Sequence, residues 1–506
     1  MKRALISVYR KKGIERTAEV LIRCGWEIIS TGGTAKYLHE HQIPTIEISE
    51  VTGFPEILDG RVKTLHPYVF GPILARESPE HRGELERLSL PRIELVIVNF
   101  YPFEAALNQQ KKGLDWMLEN IDIGGPSMVR AAAKNFKNTI VVVDENDYLP
   151  VAEAIEREGD IDPGWRRRLA RKAFSYTSFY DSLIAAYLLE NGEEQPEYRT
   201  IAGRRSLDLR YGENPHQTAA LYLSDPDSPF CRMEQLQGKQ LSFNNILDSA
   251  MVYELLNEFQ GDSPVAVIVK HQNPCGAALA PDQAQAFQNA LAGDPKSAFG
   301  GIVGFNAPLA RQTAEAMKDV FFEVIIAPEF SEAALDILRK KKNLRLIRMP
   351  LGYREKADFK TIPGGFVYQS RDNESLAPDR FVLKTDRPVG ENEKQDIAFG
   401  WKLVKFVKSN GIILVRDRTL IGVGAGQMSR VDAVDLAVRK SLAPLEGAVL
   451  LSDAFFPFAD SIEIAAAHKI GVIVEPGGSV KDAEVIEAAR RHGISLVFTG
   501  IRHFRH

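Results

Sequence analysis

Apolar positions in the first 150 residues fall into short runs separated by stretches of helical spacing. Ala4–Val8 and Trp26–Ile29 read as strands. Between them, Ile14, Ala18, Leu21 and Ile22 form one stripe of a helix over Gly13–Cys24. Ser30–Thr34 opens a helix over Ala35–His41, with Thr34 as its N-cap. Leu95–Phe100 is continuously apolar, as in a strand buried on both faces, and Thr139–Val143 repeats that pattern. Strands alternating with helices predict an α/β unit with a mostly parallel sheet. Residues 151–200 read as helical and then polar. The charged Glu190–Tyr198 stretch, with its Gly and Pro, places a boundary near residue 195. Domains are therefore expected over 1–195 and 196–506. The second region repeats the α/β pattern, with strands at Val265–Val269, Gly301–Phe305, Ile412–Val415, Leu420–Val423, Val449–Leu451, Val472–Val474 and Leu496–Phe498. Asp432–Ser441 and Val480–His492 are helical. Residues 331–395 are charge-rich and less periodic, and a split into two halves falls near 380–400. No short-period repeat or low-complexity tract interrupts the pattern.

Composition changes this picture only by exclusion. The 506 residues are 44% hydrophobic and 26% charged, as in an ordinary globular chain. A net charge of −4 argues against a whole-chain electrostatic grip on nucleic acid. Cys24, Cys231 and Cys275 are too few for a disulfide framework or a Cys₄ zinc site and fit a reducing compartment. No run approaches the roughly 18 apolar residues of a membrane span. The first apolar run is broken at Tyr9-Arg10-Lys11-Lys12, which does not suit a signal peptide, so a cytoplasmic location is expected.

Candidate chemistry sits at the punctuation between these elements. Ser30-Thr31-Gly32-Gly33-Thr34 offers hydroxyls and close backbone amides at a helix start, a setting for an anion. In Asp59–Pro67, Arg61 and Lys63 alternate on one extended segment and can point the same way. Tyr101 ends the Leu95–Phe100 run, with Asp122, Gly124, Gly125 and Lys134 downstream, a set suited to proton transfer at a sheet crevice. Leu209–Gln217 is a polar loop around Gly212 and Pro215. Lys270-His271 at a strand end offers a general base before a Pro274-Cys275-Gly276 turn. Pro-Cys order suggests zinc deaminases, but the second cysteine they need is missing, which argues against a catalytic zinc. The glycine run from Gly422 to Gly426, after Ser409-Asn410-Gly411, permits close backbone approach to a ligand. Phe455, Phe456 and Phe458 near Asp453 can flank a planar ring.

Taken in order, STGGTAK, GRVKTLHP, NFYPF, IDIGGPSMVRAAAKN, LRYGENPHQ, KHQNPCGAA, DPKSAFGG, GAGQMSR and SDAFFPF resemble the bifunctional AICAR transformylase/IMP cyclohydrolase family of purine biosynthesis, over essentially the whole chain. The resemblance implies an N-terminal methylglyoxal-synthase-like parallel-sheet domain followed by two cytidine-deaminase-like α/β subdomains without zinc. It implies formyl transfer from 10-formyltetrahydrofolate to AICAR, then cyclodehydration of the product FAICAR to IMP. Small molecules and folate are the partners implied, with no nucleic acid, membrane, metal or redox cofactor, and a homodimer is expected. The cyclohydrolase phosphate pocket implied is Ser7, Lys11, Ser30, Thr31, Gly32, Gly33, Thr34, Arg61 and Thr64. Lys134, Tyr101 and Asp122 carry the chemistry with Lys63 nearby. For the transformylase, the resemblance implies AICAR contacts at Arg210, Tyr211, Gly300, Glu323, Asn410 and Arg430. Folate contacts are implied at Val431, Phe455, Asp460, Ser479, Val480 and Arg502, and Lys270 and His271 match the catalytic pair. His271 is then the base for the AICAR amine, and Lys270 and Asn410 are the oxyanion donors. Three positions depart from the family's usual pattern. Tyr9 stands where a serine beside the phosphate is usual, Arg10 replaces an acid, and Phe70 replaces a histidine.

Overall fold

The computed structural model describes residues 2–58, 60–107, 113–189, 195–375 and 380–506. Asp59 and the first part of the Glu190–Tyr198 stretch, residues 190–194, lie outside them. The chain forms two compact units, Met1–Arg204 and Arg205–His506.

In the first unit, β1 (Lys2–Val8), β2 (Trp26–Ser30), β3 (Ile46–Glu47), β4 (Leu95–Asn99) and β5 (Ile140–Val142) form one parallel sheet in the order β3-β2-β1-β4-β5. Residues of β4 are buried throughout, as a continuously apolar run between two helix layers requires. Two hydrophobic cores cover the faces. One gathers Leu5, Val96 and Val98 with the helices Gly124–Lys134 and Pro163–Leu188, and the other gathers Ile6, Ile97 and Val142 with the helices Ile14–Arg23 and Glu145–Glu158. The second helix begins at Gly32, not at Ala35, with Thr31 as N-cap residue. Thr34 has a different task. Its hydroxyl donates to Val8 O at 3.0 Å and accepts from Val8 N at 2.9 Å, tying the helix to the end of β1.

In the second unit, β6 (Arg204–Asp208) pairs with β7 (Ala220–Leu223). A larger sheet takes β8 (Glu234–Gln237), β9 (Val265–Lys270), β10 (Asn273–Leu279), β11 (Ile302–Phe305), β12 (Val324–Ala327) and β13 (Arg345–Arg348). After a separate hairpin, β14 (Ala357–Ile362) and β15 (Gly365–Ser370), it continues with β16 (Val382–Leu383), β17 (Ile412–Arg416), β18 (Thr419–Gly424), β19 (Val449–Ser452), β20 (Val472–Glu475) and β21 (Ser495–Phe498). The order is β16-β21-β20-β19-β17-β18-β10-β9-β11-β12-β13-β8. Each half has the same plan: a buried helix, an antiparallel hairpin, then three parallel strands. The halves meet where β10 pairs with β18 at Ala278 and Thr419. One core, holding the helices Phe243–Glu258 and Glu391–Val404, spans both halves on one face, and each half keeps its own core on the other.

The hairpin turn between β9 and β10 is His271-Gln272, both with positive φ, 52° and 56°. Pro274-Cys275-Gly276 is therefore not a turn but the start of β10, with a register shift between Pro274 and Gly276. Cys275 turns its thiol to Ile268 O, and burial pushes its pKa up to about 12, so it behaves as core. Two glycines of the run, Gly422 and Gly424, serve packing. A Cβ at Gly424 would lie 1.9 Å from Ala433 O and one at Gly422 would lie 2.5 Å from Ala437 O, because the helix Arg430–Lys440 crosses them.

Candidate functional sites

The first site forms where β1, β2 and β4 end. Ser7 Oγ and Thr31 Oγ1 are 2.7 Å apart, and Ser30 Oγ donates to Ile6 O at 2.8 Å. Thr31 N-caps the helix Gly32–Glu40, whose first amides have no acceptor within the helix. Two amines stand over that helix start. A Cβ built on Gly32 would lie 3.8 Å from Lys63 Nζ, and one on Gly33 would lie 4.0 Å from Lys11 Nζ. Backbone amides, a helix dipole and two ammonium groups around two glycines make an anion cradle.

Not every expected phosphate group joins it. The segment after Gly60 is a series of turns rather than a strand, so Arg61 and Lys63 diverge. Arg61 pairs with Glu119, while Lys63 lies 3.5 Å from Glu56 and faces the cradle. Thr64 is buried, and its Oγ1 would stand 2.6 Å from a Cβ on Gly124, so this glycine is what lets the next helix approach.

That helix, Gly124–Lys134, is entered through Asp122. Its Oδ1 accepts from Gly125 N at 2.9 Å, its carboxylate also accepts from the Tyr101 amide, and its own amide donates to Tyr180 Oη at 2.8 Å. Burial pushes the Asp122 carboxyl above the usual range, against these amides and the Lys63 charge. Tyr101 is likewise raised, first by desolvation and then by Tyr9 beside it. Lys63, Tyr101 and Asp122 are thus brought together. Lys134 is not. It ends the 11-residue helix that Asp122 begins, about 15 Å along the axis, next to Asn135, which donates to Ile73 O and Ala75 O.

The second site runs along one edge of the large sheet. At that edge β9 ends and β11, β12 and β13 begin, while on the other half β17 begins and β18 to β21 end. Lys270 donates to Phe299 O at 2.6 Å and lies beside Gly300, whose φ is 72°. His271 is exposed in its turn. Asp248, on the helix Phe243–Glu258, fixes that turn by accepting from His271 N at 3.1 Å and Gln272 N at 2.7 Å. Glu323 accepts from Asn245 Nδ2 at 2.8 Å and lies 3.6 Å from the buried Arg345, on which the charges of Tyr211 and Arg210 also act. Arg210 stacks over the Tyr211 ring at 5.3 Å.

Asn273 Oδ1 accepts from Lys408 N at 3.1 Å and so ties the His271 hairpin to Ser409-Asn410. Asn410 Nδ2 donates to Gln427 O and Met428 O, which uses both its N–H groups, and its Oδ1 accepts from Arg430 at 2.6 Å. Arg430 itself is buried. Its guanidinium pairs with Asp453 and donates to Ser452 Oγ and Gly411 O. The Asn410 amide therefore spends its donors on Gln427 O and Met428 O, and Arg430 binds Asn410, Asp453, Ser452 and Gly411 while its buried Nε has no partner among the described residues. Lys270 keeps two N–H donors beyond its bond to Phe299.

The candidates for folate occupy the loops after β18, β19, β20 and β21. Phe455 and Phe458 are exposed, but Phe456 is fully buried, so two of the three aromatics face outward. Val431 follows Arg430 in its helix, Asp460 starts the helix Asp460–Ala467, and Val480 is fully exposed. Ser479 N donates to Asp482 at 2.9 Å, and Arg502 lies over Phe504 at 4.5 Å. Glu475, at the end of β20, accepts from Phe456 N and is fully buried. Neither Asp248 nor Glu475 stands out in the sequence. Their signal is a contact with a residue 19 to 24 positions away, which no local pattern carries.

From Glu323 at β12 to Asp453 at β19 the edge crosses six strand spacings, about 29 Å at 4.8 Å each.

A model of the "AICARFT/IMPCHase bienzyme" family matches residues 132–440, and one of the "MGS-like domain" matches residues 13–127. The chain is 46% identical to the bifunctional purine biosynthesis protein PurH of Thermoanaerobacter sp. (strain X514) and 47% to that of Caldicellulosiruptor saccharolyticus, over 100% of every chain compared. The PurH protein of Persephonella marina is 46% identical, again over both full lengths. A solved structure of ForH is 35% identical, with 37% of this chain and 95% of that one covered, at a TM-score of 0.33.

Proposed function

Since the chain belongs to the AICARFT/IMPCHase bienzyme family, we propose that its two units divide the last two steps of purine biosynthesis between them. The whole chain is a bifunctional enzyme that formylates AICAR and cyclises FAICAR to IMP. The Met1–Arg204 unit is the cyclohydrolase and the Arg205–His506 unit the transformylase. The observation that carries this division is that each unit gathers its own candidates at one end of its own sheet.

In the transformylase, the AICAR amine is conjugated with a carboxamide-bearing ring and is a weak nucleophile. Holding it against the formyl carbon of 10-formyltetrahydrofolate supplies part of the rate by proximity. His271 takes the amine proton as the C–N bond forms, and Lys270 donates to the oxyanion. Arg210, Tyr211, Gly300 and Glu323 hold the AICAR side. Phe455, Asp460, Ser479, Val480 and Arg502 hold the folate side with Val431. Asn410 and Arg430 shape the loop between them. AICAR is far shorter than the span from Glu323 to Asp453, which supports a homodimer in which two copies complete each site.

In the cyclohydrolase, the Gly32–Gly33 helix start takes the phosphate with Lys11 and Lys63. The carboxamide nitrogen attacks the formyl carbon, and water leaves. Tyr101 and Asp122 move those protons, and the raised Asp122 carboxyl suits exchange nearer neutrality. Lys134 stands too far along its helix to reach them within one chain.

AICAR and 10-formyltetrahydrofolate together should yield IMP with the wild-type chain. His271→Ala should lose formyl transfer by about 10²–10⁴-fold and still convert supplied FAICAR at the wild-type rate. Equal loss of both activities defeats the division into two sites, and failure to form IMP defeats the reading.

A further inference from the structure

The residue that departs from the family's serine, Tyr9, does not face the phosphate cradle. The cradle lies at the ends of β1 and β2, on one side of β1, whereas Tyr9 leans to the other side, toward β4. Val8 pairs with Asn99, so residue 9 and Tyr101 leave neighbouring strand ends side by side. Buried Asn99 fixes that exit. Its Oδ1 accepts from Tyr9 N at 2.7 Å and from Arg10 N at 3.0 Å, and its Nδ2 is held by the Tyr148 hydroxyl. The Tyr9 and Tyr101 rings then meet edge to face, with centroids 4.7 Å apart and an interplanar angle of 66°. This is a favourable quadrupole arrangement.

We infer that Tyr9 is a positioning residue for Tyr101: its ring fixes the phenol's place beside Asp122, so it acts on turnover rather than on phosphate binding. The inference rests on the cyclohydrolase reading of Tyr101. Tyr101 is gripped from two directions, by Tyr9 on its ring and by Asp122 on its amide. Charged and titratable groups reach this pair from several elements. Asp122 comes from the loop before Gly124, Lys63 acts on Asp122 from the turn after Gly60, Lys11 Nζ donates to Tyr9 O at 3.4 Å, and Tyr176 comes from the long helix, its hydroxyl accepting from Phe100 N at 3.3 Å with the Arg10 charge acting on it. Desolvation is the largest cause of the raised Tyr101 pKa, and Tyr9 adds to it, by its charge once ionised and by a hydrogen bond that favours the protonated phenol. A serine at position 9 has no ring to reach Tyr101.

Steady-state cyclisation of FAICAR across pH distinguishes this role. Tyr9→Ser should lower kcat by roughly two- to tenfold, the range of an aromatic pair, and leave KM within about twofold. Tyr9→Phe should keep most of kcat, while the alkaline limb set by Tyr101 moves to lower pH. Wild-type formyl transfer by the same variants verifies folding. A raised KM with unchanged kcat in Tyr9→Ser returns the residue to the phosphate. Coincident pH profiles for wild type and Tyr9→Phe remove the hydroxyl's part. A wild-type chain that does not cyclise FAICAR overturns the parent reading and this inference together, which separates that failure from the others.

Discussion

Glu475 is an acid placed where an ionised acid is costly. It is fully buried, one oxygen accepts from Phe456 N, and the other has no partner among the described residues. Burial pushes its pKa from 4.5 up to about 8, with Asp482 adding and Arg430 opposing. The folded chain therefore holds a proton near neutral pH that the unfolded chain has released. The stability tied to that proton is complete below pH 4.5 and is lost as pH rises through about 8. Calorimetry should show the part of the wild-type melting temperature that rests on Glu475 falling between about pH 4.5 and pH 8 and levelling above that. Glu475→Gln keeps an acceptor for Phe456 and should flatten that fall, whereas parallel curves would place the proton elsewhere. Residues of this kind were not legible beforehand. Lys270 and His271 were, because two titratable types at the end of an apolar run stand out locally. Asp248, Glu475 and Asn99 act through partners far along the chain, and the pairing of Arg430 with Asp453 joins residues 23 positions apart.

The two hairpins of the large sheet are built alike, and only one carries the proposed base. His271-Gln272 has φ of 52° and 56°, and Asp417-Arg418 has 50° and 54°, the left-handed pair of a type I′ turn. Each turn is held by an aspartate from the helix before it. Asp248 takes the amides of the first, and Asp396 takes Asp417 N at 3.0 Å and Arg418 N at 2.5 Å. Both alanine variants should lose stability by about 1–3 kcal/mol. Asp248→Ala alone should also lower formyl-transfer kcat, by about 10–100-fold, because a small displacement of the base is costly. Denaturant melts and initial rates on both variants check this, and equal effects on rate would deny Asp248 its positioning role. Strands were legible from apolar runs such as Leu95–Phe100 and Val449–Leu451. The hairpin turn was not, because Pro274 and Gly276 are the stronger local turn formers, yet the register shift absorbs both inside β10.

At the scale of the molecule, the distance along the sheet edge decides how many chains make a transformylase site. Arg210 acts at the β12–β13 end and Asp460 at the β19–β21 end. If two copies share each site, chains carrying Arg210→Ala and chains carrying Asp460→Ala should complement when mixed and re-associated. Half of the pairs are then mixed, and each has one intact site, so transfer should recover to about a quarter of wild type. No recovery means that one chain makes its own site. The joint between the halves has another consequence, during synthesis. Among the described residues the outer edge of β10 pairs with β18 alone, and about 140 residues separate Leu279 from Thr419. At about 5–20 residues per second, the first half waits roughly seven to thirty seconds on the ribosome with a hydrophobic sheet edge open. A nascent chain in that interval presents a ready template for another strand. The same pairing that later makes one continuous sheet is thus the point at which a growing chain is most exposed to joining the wrong neighbour.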